Sequence, residues 1–241
     1  MKHWLILAAM LAAPVHADEA EDAFVDANLL SIFYHELGHA MIDVLALPVF
    51  GQEEDAADVA SILLIDVLWD AESALDLAYD ASFGFAAEAM EQSEAEDVAF
   101  WDVHGPDQQR FFNTVCLFYG ADPEGRADFA EDMDLPEERA ETCEEEFDLA
   151  NESWGPIWDE LATENGSLLG FEAAAGATYS AGVIGAEVEA LNAQFHWPQA
   201  LLVETDTCDE PNAFYDPSRL AITICEEFEP YLRQLYRDWA D

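Results

Sequence analysis

Between residues 26 and 47 the hydrophobic positions are not confined to one stripe. Leu29, Leu30, Ile32, Phe33, Leu37, Met41, Ile42, Val44 and Leu45 are spread around the whole helical cylinder. The pattern predicts a helix from Asp26 to Leu47, buried on all sides and interrupted by Pro48 and Gly51. Its polar exceptions, Ser31, His35 and His39, stand at i, i+4 and i+8 and share one face, with Glu36 beside them. A second helix opens at Glu53 or Glu54, where carboxylates in the first turn complement the helix dipole. It continues through Ala60, Leu63, Leu64, Val67 and Leu68 toward Trp69.

Further along, the polar run Gln92 to Asp97 reads as a loop. Asp107 to Tyr119 reads as a helix ended by Gly120 and Pro123, and Glu137 to Leu149 and Trp154 to Leu161 as two more. The Ala- and Gly-rich stretch Leu168 to Phe195 predicts a helix packed closely against its neighbours. Ala200 to Thr205 and Leu220 to Cys225 read as strands. With Asn212, Asp216 and Pro217 between them they predict a hairpin-like pair, followed by an amphipathic helix from Glu226 to Trp239. The expected fold class is α+β, predominantly helical, with a small β-hairpin or sheet near the C-terminus.

The 241 residues are 51% hydrophobic, enough for a substantial core. Lys and Arg total 7 against 53 Asp and Glu, a formal net charge of -46. Such a field repels phosphate backbones and anionic headgroups, so nucleic acid and acidic membranes are excluded as partners; the acidity itself reads as a solvated surface. Residues 1–17 read as a secretory signal: Lys2 and His3, an apolar run from Trp4 to Ala13, then Val15-His16-Ala17 with cleavage after Ala17. That run is too short to span a bilayer and no later segment is long and uncharged enough, so residues 18–241 are expected as one exported domain, periplasmic or extracellular, without a membrane span. Four cysteines in an exported chain are expected as disulfides, and the sequence-local choice is Cys116 with Cys143 and Cys208 with Cys225.

The chemistry concentrates in Tyr34-His35-Glu36-Leu37-Gly38-His39, an HExxH motif on a helix. Spacing by four residues puts both imidazoles on one face, where two nitrogens can hold one zinc ion while Glu36 projects toward a metal-activated water. Three adjacent polar groups inside a buried helix would cost several kcal/mol without a ligand or partner. A catalytic zinc site takes three protein ligands, and Glu54, fifteen residues after His39, is the expected third. Asp58 would orient a ligand histidine through its outer nitrogen. Asp58 or Asp55 is the rival third ligand. The chemistry is then hydrolysis of peptide bonds in a peptide or protein substrate, with Glu36 as general base. His104, Arg110 and Tyr119 are candidate donors to the developing oxyanion. The alternative is a zinc-binding exported protein without turnover, serving partner recognition or metal storage, for which Glu36 has no use. Nothing in the sequence sets an oligomeric state.

With these residues in place the chain resembles the zincin peptidases, and Glu54 with Asp58 at i+4 is similar to the branch that uses a glutamate ligand followed by an orienting aspartate. The resemblance implies a zincin-like metal-binding helix pair. The runs HELGHAMIDVLALPVFGQEEDAADVAS, DQQRFFNTVCLFYGADP and CDEPNAFYDPSRLAITIC resemble a family of uncharacterised secreted bacterial proteins described as putative metallopeptidases. The segment Asn212-Ala213-Phe214-Tyr215 is similar to an asparagine-aromatic element that lines the substrate cleft of neprilysin-like zincins. That likeness implies that Asn212 and Tyr215 bind substrate and that the C-terminal strands supply the cleft edge. In those enzymes the element precedes HExxH; here it follows by more than 170 residues.

Overall fold

A computed structural model describes residues 15–95, 98, 100–162 and 165–240. The expected signal segment falls outside them except for the first turn of α1 (Val15–Val44). That helix forms the axis of the molecule. Phe24, Val25, Leu29, Phe33, Tyr34, Leu37 and Met41 are fully buried on different sides of it, as its all-round apolar pattern requires. Around it pack α2 (Glu53–Leu68), α3 (Ala71–Ala95), α7 (Tyr179–Gln194), α8 (Phe228–Trp239) and the sheet. A second layer holds α4 (Asp107–Ala121), α5 (Ala127–Asp132) and α6 (Glu137–Leu161). Cys116–Cys143 joins α4 to α6, and Cys208–Cys225 closes the sheet end, the two pairings expected from the sequence.

The sheet departs from expectation. Its order is β1-β2-β4-β3, formed by β1 (Gly170–Ala173), β2 (Leu202–Asp206), β4 (Ala221–Cys225) and β3 (Ala213–Asp216). The two strands read from the sequence run parallel, Val203 opposite Ile222, and so are not a hairpin. The hairpin is β3 with β4, turned at Asp216, whose carboxylate accepts hydrogen bonds from the Ser218 N–H and hydroxyl. β2 and β4 are the interior strands, β4 buried at every position, and β3 lies at the sheet edge beside α1. A short strand of partly exposed residues such as β1 has no apolar run to mark it, so the stretch expected as one helix divides into β1 and α7.

Three helix boundaries also differ. α3 extends through Ala95, so most of the polar run expected as a loop is helical; residues 96 and 97 lie outside the described residues. The two helices expected over 137–161 are one that continues through Pro156, with Trp154 and Trp158 stacked along it, ring centroids 5.3 Å apart. α5 has no counterpart in the sequence reading. No helix among the described residues is long and apolar enough to cross a membrane. Each of the six arginines lies within salt-bridge distance of a carboxylate, Arg126 with Asp66 and Arg219 with Glu204 among them, so the described residues present no cluster of unpaired arginines to a polyanion.

Candidate metal centre

The α1–α2 turn sets the geometry of the site. α1 ends with Ala46 in the left-handed region (φ 51°), and Leu47 N–H donates to the Ile42 carbonyl while Ala46 N–H donates to that of Asp43. This closes the helix in the manner of a Schellman turn and sends the chain back. The returning α2 approaches α1 closely because only small residues meet. A Cβ on Gly38 would stand 3.1 Å from Ala57 Cα and 3.2 Å from Ala60 Cβ. The first turn of α2 is thereby laid across the histidine face of α1.

There His35 Nε2 and His39 Nε2 lie 3.2 Å apart, and Glu54 Oε2 lies 3.2 Å from the first and 3.1 Å from the second. The outer nitrogens point the other way: His35 Nδ1 is 2.7 Å from Asp58 Oδ1 and His39 Nδ1 is 2.9 Å from Glu53 Oε1. Those carboxylates accept from Nδ1–H, so once the imidazoles are neutral both Nε2 atoms present lone pairs. Three such atoms turned toward one another at this distance repel unless a proton or a cation lies among them, and a metal ion serves all three at once. Tetrahedral coordination at zinc-like bond lengths would space its donors by about 3.3–3.5 Å. The donor set fits a divalent metal on this chemistry.

Asp58 stands behind His35, and Arg110 of α4 clamps it with Nε–H to Oδ2 (2.9 Å) and Nη2–H to Oδ1 (2.8 Å). Arg110 is itself held over the Phe85 ring, 4.6 Å from its centroid. Asp55 is exposed and faces a cavity on the α4–α6 side, so Glu54 alone of the three acidic candidates turns an oxygen to both Nε2 atoms. His104, on the segment between α3 and α4, brings its Nε2 to 3.0 Å from that same Glu54 oxygen. Tyr119, a candidate oxyanion donor in the sequence, lines neither cavity at the centre.

Electrostatics follow the contacts. Burial opposes protonation of His35, but hydrogen bonds to Asp58 and Glu54 outweigh it and hold the metal-free imidazole up at about 9. His39 is raised in the same way, against burial, by Glu54 and Glu53. Hydrogen bonds from His104, His35 and His39 hold Glu54 well below the usual carboxylate range. Burial would raise Asp58, but the Arg110 clamp and His35 keep it ionised. Metal must therefore displace protons from the imidazoles. Glu36, 6% exposed, is the opposite case: burial pushes its carboxyl upward, the neighbouring histidines oppose that, and a hydrogen bond from Tyr215 N–H supports the charged form.

That contact puts edge strand β3 directly alongside the HExxH helix. Asn212 lines both cavities that open at Glu36, and Tyr215 lines the second while its hydroxyl donates to Asp43 Oδ2 at 2.7 Å. The first cavity, about 470 Å³, runs from His35 and Glu36 to Glu88, Glu91 and Tyr231. Glu53, Asp102, Glu88 and Tyr231 carry no signal of a site role in the sequence: among 53 acidic residues an isolated carboxylate is uninformative, and Tyr231 is far from the motif.

A family model, DUF4344, described as "Putative metallopeptidase", matches residues 7–157 and 172–240. No curated protein and no solved structure matches the chain.

Proposed function

The chain belongs to the DUF4344 metallopeptidase family, and from that membership we propose that it is an exported zinc-dependent peptidase whose metal is held by His35, His39 and Glu54. The observation that carries the reading is the convergence of two Nε2 lone pairs and one carboxylate oxygen next to a buried glutamate that no ligand role requires. Bound there, zinc would supply Lewis acidity toward a scissile carbonyl and lower the pKa of water. Glu36 takes the proton from the attacking water and delivers it to the leaving amine. Its burial favours the protonated form and so suits both halves of that transfer. Asp58, fixed by Arg110, holds His35 in the tautomer that turns Nε2 inward.

His104, which lines both cavities and lies 3.0 Å from Glu54 Oε2, can donate a hydrogen bond to a carbonyl oxygen gaining charge once it has moved off Glu54. Edge strand β3, with Asn212 and Tyr215, offers backbone and side-chain partners to an extended peptide. The cavity carries Glu88, Glu91, Asp102 and Asp107, and its one arginine is clamped to Asp58, so basic or neutral peptides suit it better than acidic ones. Export follows from residues 1–17 and agrees with two disulfides.

The test is hydrolysis of a mixed fluorogenic peptide library by zinc-loaded protein. Turnover is expected, abolished by a chelator and lowered by roughly 10²- to 10⁴-fold in Glu36→Gln, which should keep its metal. Full activity in Glu36→Gln, or a library left intact by the zinc-loaded wild type, would overturn the assignment.

A further inference from the structure

We infer that His104 is a fourth protein ligand of the metal centre, which caps it in the resting protein and leaves when substrate enters. The inference rests on the metallopeptidase reading of the same site, and adds that the site is closed until the 100–106 segment moves.

Three histidines at the centre share one construction. Each turns Nε2 to the single oxygen Glu54 Oε2, at 3.2 Å for His35, 3.1 Å for His39 and 3.0 Å for His104. Nδ1 of His35 and of His39 is hydrogen-bonded to a carboxylate, Asp58 at 2.7 Å and Glu53 at 2.9 Å, and Nδ1 of His104 faces Asp102 at the longer distance of 3.5 Å, with the His104 backbone N–H donating to the same Asp102 oxygen. A carboxylate behind Nδ1 fixes the tautomer and raises the basicity of Nε2, the arrangement in which imidazoles bind metal. His35, Glu54 and His104 also place their donor atoms within 4.8 Å of one another. Four protein donors close a tetrahedral site, whereas hydrolysis needs an open position.

The histidines differ in what anchors them. His35 and His39 stand on α1, in the core. His104 stands outside any helix or strand, with 46% of its side chain exposed, on a segment whose Phe100 and Trp101 are 82% and 86% exposed and bury little to hold it down. Its displacement costs few packing contacts. Trp101, Val103 and His104 line the same cavity as Phe214 and Tyr215 of β3, so a peptide laid on that edge would meet the capping segment.

X-ray absorption at the metal edge counts imidazoles without requiring turnover. Zinc-loaded wild type is expected to show three, and His104→Ala two. Metal affinity in the variant, by chelator competition, should fall at least about tenfold. In the cobalt form, His104→Ala should bind acetohydroxamate more tightly than wild type, read from the visible spectrum. Metal bound through two imidazoles in both proteins would overturn the cap while leaving the peptidase reading intact. No metal in the wild type would overturn both.

Discussion

Replacing Arg110 with Met removes a buried charge while keeping most of the side-chain volume, and the consequence follows from what stays behind. Arg110 and Asp58 expose only 12% and 18% of their side chains, and two charge-assisted hydrogen bonds of 2.8 and 2.9 Å join them. Breaking a buried pair from one side costs about 3–5 kcal/mol, because an uncompensated charge is left in low dielectric. Here His35 remains at 2.7 Å and compensates in part, which points to the lower end, about 3 kcal/mol. Asp58→Asn should also destabilise, and the double variant should lose less than the sum of the singles by roughly 2 kcal/mol. The assay is urea unfolding of the chelator-treated proteins followed by circular dichroism. A coupling energy below about 0.5 kcal/mol would refute the pair as the prop of the site.

Glu88, at the far end of the cavity, is pushed up to about 7 by burial and by the Asp107 charge. Its folded pKa lies above the unfolded value of 4.5, so the folded state holds the extra proton and stability falls as pH rises from 4.5 through 7. Glu88→Gln should remove about 1–3 kcal/mol of that loss. Parallel urea midpoints for variant and wild type between pH 5 and 8 would contradict this. A Cβ on Gly120 would stand 2.2 Å from the Cys143 carbonyl oxygen, so Gly120→Ala must part α4 from α6. We expect a loss of about 3 kcal/mol, read as a fall of roughly 6–12 °C in Tm; an unchanged Tm would refute it. Gly38→Ala pushes on the backbone of Ala57 at 3.1 Å and should loosen the ligand geometry, lowering zinc affinity by about tenfold while helicity is retained. Unaltered affinity in a chelator competition would count against the helix approach as the determinant.

Local chemistry was the most legible part of the sequence. The histidine spacing on a helix that is apolar all round identifies the cluster, because burial and polarity conflict there unless something binds. The separation of His39 from Glu54 across Pro48 and Gly51 anticipates the return of α2. The same separation makes Glu54 the expected third ligand, and the rotation of α2 about its own axis, set where Gly38 meets Ala57 and Ala60, turns its oxygen rather than those of Asp55 or Asp58 to both Nε2 atoms. Arg110, a candidate for substrate contact in the sequence, is taken up by Asp58, a contact made across 52 residues that no spacing rule reaches. The partners of the outer nitrogens, Glu53 and Asp102, were hidden by the abundance of acid. Strand direction was hidden too: β2 and β4 looked like successive strands of a hairpin, but β3, only four residues long, is inserted between them in the chain and takes the antiparallel place.

The central claim is that His35, His39 and Glu54 hold one zinc ion. Metal content of the purified protein by mass spectrometry, alongside His39→Ala and Glu54→Ala, addresses it most directly. The account predicts about one zinc per chain in wild type and loss of it in both variants. A wild-type protein that stays free of metal after zinc reconstitution would contradict it, and zinc retained in Glu54→Ala would remove Glu54 from the ligand set.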